Sequence, residues 1–248
     1  MSRVYDRVAG QYDATRGGEA RGVAFAADLA PWLVPGTVLE VAVGTGVVAK
    51  ALRARGFTVM GADLSAPMLG RARERLGPVV VRADARRLPF ASGGVDNVVF
   101  AMALHAIGDL PETFAEAARV TRAGGRVVAT HGQPHYQGGD DLVGAVAPLG
   151  RLQVSVRPDS EEAVGAAARG AGLELVELRW TEPAPVAVTP AELADRIEGR
   201  LYSYLWDVDD ATWAAVVAPA VAALRGLPGP HRPRETAEVG RIGAWRVA

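Results

Sequence analysis

The run Val38-Leu39-Glu40-Val41-Ala42-Val43-Gly44-Thr45-Gly46 takes an apolar stretch through one acid into two glycines a residue apart. Val47 to Arg53 can then start a helix at once. That order predicts a strand, a tight turn and a helix. Glycines without side chains let a ligand approach the backbone, and the first turn of a helix offers N–H groups with no partner in the helix. Glu40 sets this turn apart from a phosphate cradle. A carboxylate there would repel a diphosphate and suit a ligand that carries an ammonium group.

Short apolar runs alternate with helical patterns through the first half of the chain. Strands are expected at Thr37–Val43, Phe57–Ala62, Val79–Ala83, Val95–Met102 and Gly125–Thr130. Helices are expected at Val47–Arg55, Ala66–Leu76 and Pro111–Val120. Such βα alternation builds an α/β fold with a doubly wound, mostly parallel sheet. The strands are apolar throughout, as strands covered on both faces are. Residues 2 to 33 read as two helices that stop at Val34-Pro35-Gly36. In the second half, residues 132–159 read as an insertion or loop and 161–170 as a helix. A strand is expected at 173–180, helices at 190–206 and 209–225, and a last strand at 237–247. The helical pair is an excursion from the sheet, so one domain is expected over 1-248, with a helical lid (1-33), a cofactor-binding core (34-131) and a helical substrate-cap insertion (189-226).

Ligands of open parallel sheets bind beyond the carboxyl ends of the strands. Three such ends carry acids here: Glu40, Asp63 and Asp84. Asp63 lies about 20 residues beyond the glycine turn, the spacing of an acid that grips ribose hydroxyls. Asp84 lies one strand further, where an adenine amino group is within reach. Gly44-Thr45-Gly46-Val47-Val48-Ala49 also satisfies the loose dinucleotide pattern G-x-G-x-x-G/A, so an NAD-dependent dehydrogenase is a rival; Glu40 beside the pyrophosphate position argues against it.

The ordered set of motifs resembles the class I S-adenosylmethionine-dependent methyltransferases, in the small-molecule group with the UbiE-like domain. The resemblance runs from about Tyr5 to Thr130, and more weakly to the end. It rests on Glu40 to Gly46, on Ala62-Asp63-Leu64-Ser65-Ala66-Pro67-Met68, on Arg82-Ala83-Asp84-Ala85 with Leu88-Pro89-Phe90, on Val95 to Val99 with Ala103-Leu104-His105, and on Arg119 to Gly125. Two positions depart from the family pattern: Ala42 stands where glycine is usual, and Ala123 replaces a common proline. The resemblance implies a Rossmann-like, seven-stranded sheet with an antiparallel last strand, and S-adenosyl-L-methionine as cofactor, with S-adenosyl-L-homocysteine as product. It implies that Glu40 faces the methionine amine, that Ala42, Val43, Gly44 and Gly46 line the methionine portion, and that Asp63 holds the ribose between Leu64 and Met68. Asp84 and the Ala85 N–H would take the adenine amine, with Met102 also on the cofactor. The methyl group of Ala42 either points away from the cofactor or weakens its binding. The opening segment Tyr5 to Arg16 resembles the family's lid, which implies Tyr12 over the methionine end and Arg16 on its carboxylate.

Methyl transfer from a sulfonium is an in-line displacement that needs alignment, exclusion of water and at most one base. His105 and His131, at the ends of two strands, are the candidate bases; His135 follows in the next loop. Arg200, Tyr202, Tyr204 and Trp206, with Trp213, are candidates to wall the acceptor. No metal-ligand spacing connects the histidines, so no metal is expected. The 248 residues include no cysteine, which excludes thiolate chemistry, and the formal net charge of -1 gives no basic footprint for nucleic acid. No leader or apolar span stands out, so a cytoplasmic, soluble protein is expected, a monomer or homodimer with no membrane partner. The predicted activity is methyl transfer to an oxygen, nitrogen or carbon of a small metabolite. The alternatives are a methyltransferase-like protein that binds the cofactor without transferring methyl, such as a cyclase or binding module, and the dehydrogenase.

Overall fold

The computed structural model describes residues 2–155 and 158–248, with side chains described outside 2–4, 133, 134, 136, 153–155 and 184–186. The chain divides into two compact units, Met1–Gly132 with Pro158–Thr181 and Arg241–Ala248, and Gln133–Arg157 with Glu182–Gly240.

The first unit opens with helices α1 (Ser2–Val8), α2 (Tyr12–Thr15) and α3 (Gly18–Leu29). Three helices form here where two were expected, because Gly10, Gly17 and Gly18 break the segment, the last two at positive φ. The alternation then follows the sequence: β1 (Thr37–Val41), α4 (Val47–Ala54), β2 (Thr58–Asp63), α5 (Ala66–Leu76), β3 (Val80–Arg82), β4 (Val95–Phe100), α6 (Leu104–Ile107), α7 (Leu110–Val120) and β5 (Thr121–Gln137). Two caps fix helix starts: Ser65 Oγ accepts from the Met68 N–H, and Asp109 from the Glu112 N–H.

The strand order is β3-β2-β1-β4-β5, and the four neighbouring pairs are parallel. The order reverses beside β1, whose neighbours are β2 and β4, and this opens a crevice at the carboxyl ends of those strands. Period-two alternation splits β1 between two cores. Leu39 and Val41 join Phe100, Phe114 and Trp245 under α7, whereas Val38 joins Leu29, Ala49, Leu52 and Ala72 under α3, α4 and α5. Glu40 has the parity of Val38.

Beyond β5 come α8 (Asp140–Val146), α9 (Gly150–Ser155), α10 (Glu161–Gly170), β6 (Leu173–Trp180), β7 (Ala184–Val188), α11 (Pro190–Glu198), α12 (Asp210–Thr212), a π-turn at Trp213–Val217, α13 (Ala218–Arg225) and β8 (Arg234–Val247). In the first unit, α10 adds Val164, Ala167 and Ala168 to the Phe114 core, and β6 pairs antiparallel with the end of β8. The sheet path closes as β5-β8-β6, which bears out the Rossmann-like seven-strand order.

In the second unit, β7 pairs with the start of β8, from Ala184↔Glu238 to Val188↔Arg234. This eighth strand was not expected from the sequence, and Pro185 lies within it. Proline is tolerated in a strand with one free edge. Of the insertion or loop expected at 132–159, the described residues form structured chain, with β5 continuing to Gln137 and α8 and α9 following. The 190–206 helix stops at Glu198, because Arg200 adopts φ 50°. The unit has its own core around Leu149, Ile197, Leu205, Val217 and Leu224.

Candidate functional site

The crevice holds a cavity of about 330 Å³ lined entirely by the first unit. Of the residues expected on the cofactor, it brings together Tyr12, Ala42, Gly44, Asp63, Leu64, Met68, Asp84, Ala85 and Met102. Glu40, Val43, Gly46 and Arg16 are not among its lining residues.

The glycine elbow is fixed from several sides. The Val43 N–H donates to the Ala62 carbonyl and the Gly46 N–H to the Val43 carbonyl. The Gly44 N–H donates to Asp63 Oδ2 at 2.8 Å, and the Ser65 N–H donates to Asp63 Oδ1 at 2.8 Å. Burial raises the Asp63 carboxyl above its ordinary range, against the pull of those N–H groups. The Leu64 N–H pulls the same way, and the carboxylate, which lines the cavity, keeps acceptor capacity for ribose hydroxyls.

The two elbow glycines have different reasons to be glycine. Gly44 lines the cavity at φ 56°, and a Cβ there would meet only the Ala42 carbonyl at 4.0 Å. Gly46 faces α5: a Cβ would lie 2.9 Å from Leu76 Cδ1. Val43 packs against Gly61, where an added Cβ would stand 2.8 Å from Val43 Cγ2. Ala42 lies at φ 57°, in the left-handed region that costs an L-residue about 1 kcal/mol or more. Ala42→Gly is therefore expected to stabilise the protein by about 1 kcal/mol, read as a rise in denaturation midpoint with unchanged slope. A lower midpoint would contradict strain at this position.

Glu40 is 3% exposed and is turned under the elbow, as its parity with Val38 requires. It accepts from the Ala49 N–H in the first turn of α4. The N-cap of that helix, Gly46, has no side chain to cap with, so Glu40 serves as a cap supplied by the neighbouring strand. Its Oε2 has no hydrogen-bond partner among the described residues. Burial, with the Asp63 charge adding to it, pushes the carboxyl up to about 8.

At the other end of the cavity, Asp84 is paired with Arg86, whose Nη2 donates to Oδ2 at 2.7 Å and Nε to Oδ1 at 3.0 Å. That guanidinium holds the Asp84 carboxyl below its ordinary value. Arg86 itself lines the cavity, and the sequence reading missed it. Its only signal was a cation two residues from the acid on a strand-end turn. Tyr5 was missed as well. It lines the cavity with its ring edge-on to Tyr12, centroids 6.3 Å apart. Arg16 stacks over the Tyr12 ring at 5.9 Å.

Met102 lies at φ 51° at the end of β4, and its N–H donates to Thr130 Oγ1 at 2.7 Å. Neither candidate base lines the cavity. His105, on α6 between the lining residues Ala103 and Ala106, has Nε2 3.5 Å from the Tyr5 hydroxyl. His131 is 1% exposed and lies 6.5 Å from the Trp245 ring, and burial holds its imidazole below its ordinary value.

The acceptor candidates lie in the second unit. Arg200 donates through Nη1 to the carbonyls of Leu205 (2.7 Å) and Val208 (3.0 Å) and sits 4.2 Å from the Trp213 ring centre. Trp206 Nε1 donates to the Arg200 carbonyl at 2.8 Å. The guanidinium thus ties a turn together. Tyr202 and Tyr204 stack at 5.6 Å. No cluster of metal-ligating side chains occurs among the described residues, and no helix is long and apolar enough to cross a membrane.

A methyltransferase domain family matches residues 39–129. Among curated proteins, a demethylmenaquinone methyltransferase of Thermus thermophilus is 34% identical over 152 residues, covering 56% of this chain and 69% of its own length. One from Mycobacterium sp. strain KMS is 38% identical over 133 residues, 52% of this chain and 57% of its own length. Among solved structures, geranyl diphosphate C-methyltransferase from Streptomyces coelicolor, in complex with S-adenosyl-L-homocysteine, aligns with TM-score 0.53 and 19% identity over 91% of this chain and 79% of that one. A possible histamine N-methyltransferase from Thermotoga maritima aligns with TM-score 0.58 and 18% identity over 98% of each chain.

Proposed function

The chain belongs to the class I S-adenosylmethionine-dependent methyltransferases, and from that premise we propose that it methylates an oxygen, nitrogen or carbon of a small-molecule metabolite, with the cofactor held in the crevice of the first unit. The observation that carries the site reading is the cavity with Asp63 on one side and Asp84 on another, at the ends of successive strands.

The residues present fit such a cofactor. Gly44 leaves the elbow open, Asp63 keeps lone pairs for a cis-diol, and Asp84 with the Ala85 N–H offers an acceptor and a donor to an adenine edge. Met68, Leu64 and Ile107 supply apolar surface on the same cavity. When bound, the sulfonium supplies an activated methyl and a neutral thioether leaving group. The protein's part is to orient and to exclude water. Tyr5 and Tyr12 contribute apolar surface from the N-terminal segment. Where the acceptor must lose a proton, His105 is the better placed of the two histidines, through the Tyr5 hydroxyl on the cavity wall. His131 is enclosed beside Trp245.

The domain match ends at residue 129, and the second unit lies outside it. The acceptors named for the relatives therefore do not transfer to this chain. Tyr202, Tyr204 and Trp206 remain the proposed acceptor contacts. Arg200 is removed from that set, because its guanidinium holds the 200–208 turn. Changing Tyr204 to Ala is expected to raise the KM of an acceptor at least fivefold and leave cofactor affinity within a factor of two.

Titration calorimetry with S-adenosylhomocysteine and with NADH tests the reading. Binding of the first and not the second is expected; the reverse pattern would restore the dehydrogenase. Transfer of a labelled methyl group to a metabolite extract separates an active transferase from a protein that only binds the cofactor.

A further inference from the structure

The elbow is also gripped by one residue of α5. Arg75 donates through Nη1 to the Thr45 carbonyl and through Nη2 to Asp13 Oδ2 at 2.8 Å. The other oxygen of Asp13 accepts from Thr45 Oγ1 at 2.6 Å. Arg75, Asp13 and Thr45 therefore close a triangle that joins α5, the N-terminal segment and the elbow. Thr45 is 1% exposed, and the Arg75 and Asp13 side chains keep 17% and 25% of their exposure. An ion pair this shielded is worth more than a surface pair. Glu19 stands 3.8 Å from Arg75 Nε and is itself paired with Lys50 at 2.6 Å.

The same helix holds the segment at two further points. Ser65 Oγ lies 2.5 Å from Asp6 Oδ1, and Arg71 Nη2 donates to the Gly10 carbonyl at 3.1 Å. These two ties fasten the segment to α5 without touching the elbow. The Arg75 triangle alone fastens it to the residue that follows cavity-lining Gly44. α5 also packs closely against Gly46, where an added Cβ would lie 2.9 Å from Leu76 Cδ1.

We propose that Arg75 is a positioning residue that couples closure of the N-terminal segment over the cavity to the geometry of the cofactor elbow. The inference rests on the cofactor site proposed above. With the segment docked, Asp13 satisfies both the Thr45 hydroxyl and the Arg75 guanidinium. With it lifted, the buried Thr45 hydroxyl and the Arg75 guanidinium both lose Asp13, and the hold of Arg75 on the Thr45 carbonyl is no longer braced. Ordering the elbow by a ligand therefore favours docking, and docking favours the ligand by the same factor. Tyr5 and Tyr12, which line the cavity, travel with the docked segment.

The test uses the full chain with Arg75→Gln, Asp13→Asn and the double variant. S-adenosylhomocysteine is the probe, and trypsin cleavage after Arg7 and Arg16 reports docking. Each single variant is expected to weaken binding five- to twentyfold and to speed cleavage at those two sites at least tenfold, with loss of the protection that the ligand gives to wild type. The double variant is expected to match the worse single one. Thr45→Val, which removes the hydroxyl at nearly constant shape, reproduces the effect if either charge variant folds poorly. Unchanged affinity and cleavage, or additive losses in the double variant, would overturn the coupling. Failure of the wild type to bind the probe would instead sink the cofactor reading on which the coupling stands.

Discussion

Asp63→Ala lowers affinity for S-adenosylhomocysteine by about two to four orders of magnitude, since two hydrogen bonds to a charged acceptor are each worth about 1.5–3 kcal/mol. The expectation follows from the position of the side chain. Its oxygens accept from the Gly44 and Ser65 N–H groups at 2.8 Å and still face the cavity. Alanine removes the acceptors for both ribose hydroxyls and leaves the Gly44 N–H without its partner, so the elbow loosens as well. Asp63→Asn separates the two losses. Its amide oxygen can keep one N–H, whereas its NH2 group would oppose the other, so an intermediate loss is expected. Calorimetry on folded variants, checked by circular dichroism, measures both. An affinity within threefold of wild type for the alanine variant would mean that the ribose lies elsewhere.

Glu40→Gln is expected to raise the stability of the ligand-free protein and to weaken its grip on the ligand. The folded carboxyl is pushed up to about 8, from an ordinary value of 4.5. The sign follows from linkage: the folded state holds a proton that the unfolded chain releases. The contribution of that proton is fully present below the unfolded value and is lost as pH rises through about 8. Each unit corresponds to about 1.4 kcal/mol, so the loss across the window is on the order of 5 kcal/mol. Glutamine keeps the acceptor for the Ala49 N–H and has no proton to lose. Its advantage in denaturation midpoint over wild type should therefore be small near pH 5 and grow towards pH 9. A constant difference across that range would refute the raised carboxyl. Binding supplies the second arm. An ammonium arriving across the elbow from the buried acid draws its proton off, so calorimetric enthalpies near pH 7 should vary with the ionisation heat of the buffer. In the glutamine variant that dependence should vanish, with affinity about tenfold lower. The same enthalpy in every buffer would leave Glu40 only its capping role on α4.

Much of the cofactor unit could be read from local pattern. The strand ends after Glu40, Asp63 and Asp84 fall where apolar runs meet polar or glycine residues, and the cap at Ser65 needs only its own neighbours in sequence. Nine of the residues expected on the cofactor share one cavity for this reason: a parallel sheet brings successive strand ends to one edge regardless of the details of packing. The second unit was less legible. β7 was not read from the sequence: its Pro185 is acceptable in a strand paired on one side only, and which strand has a free edge is not a local property. Arg200 looked like a ligand contact, but two backbone carbonyls and the Trp213 ring engage it.

Which way each elbow side chain points was decided by tertiary structure alone. The sequence placed Glu40, Val43 and Gly46 beside Ala42 and Gly44, but the covering helices set which face of β1 is interior. Glu40 therefore turns beneath α4, Val43 meets Gly61, and Gly46 meets Leu76. The sequence by itself determined the order of elements and the acids near their ends, because these follow from periodicity and spacing along the chain, and the resemblance of its motifs to the methyltransferases supplied the class of cofactor. The fold decided parity, burial and the ties of Arg75, Asp13 and Thr45, because those depend on which distant helix packs against a strand, and no short window of sequence records that.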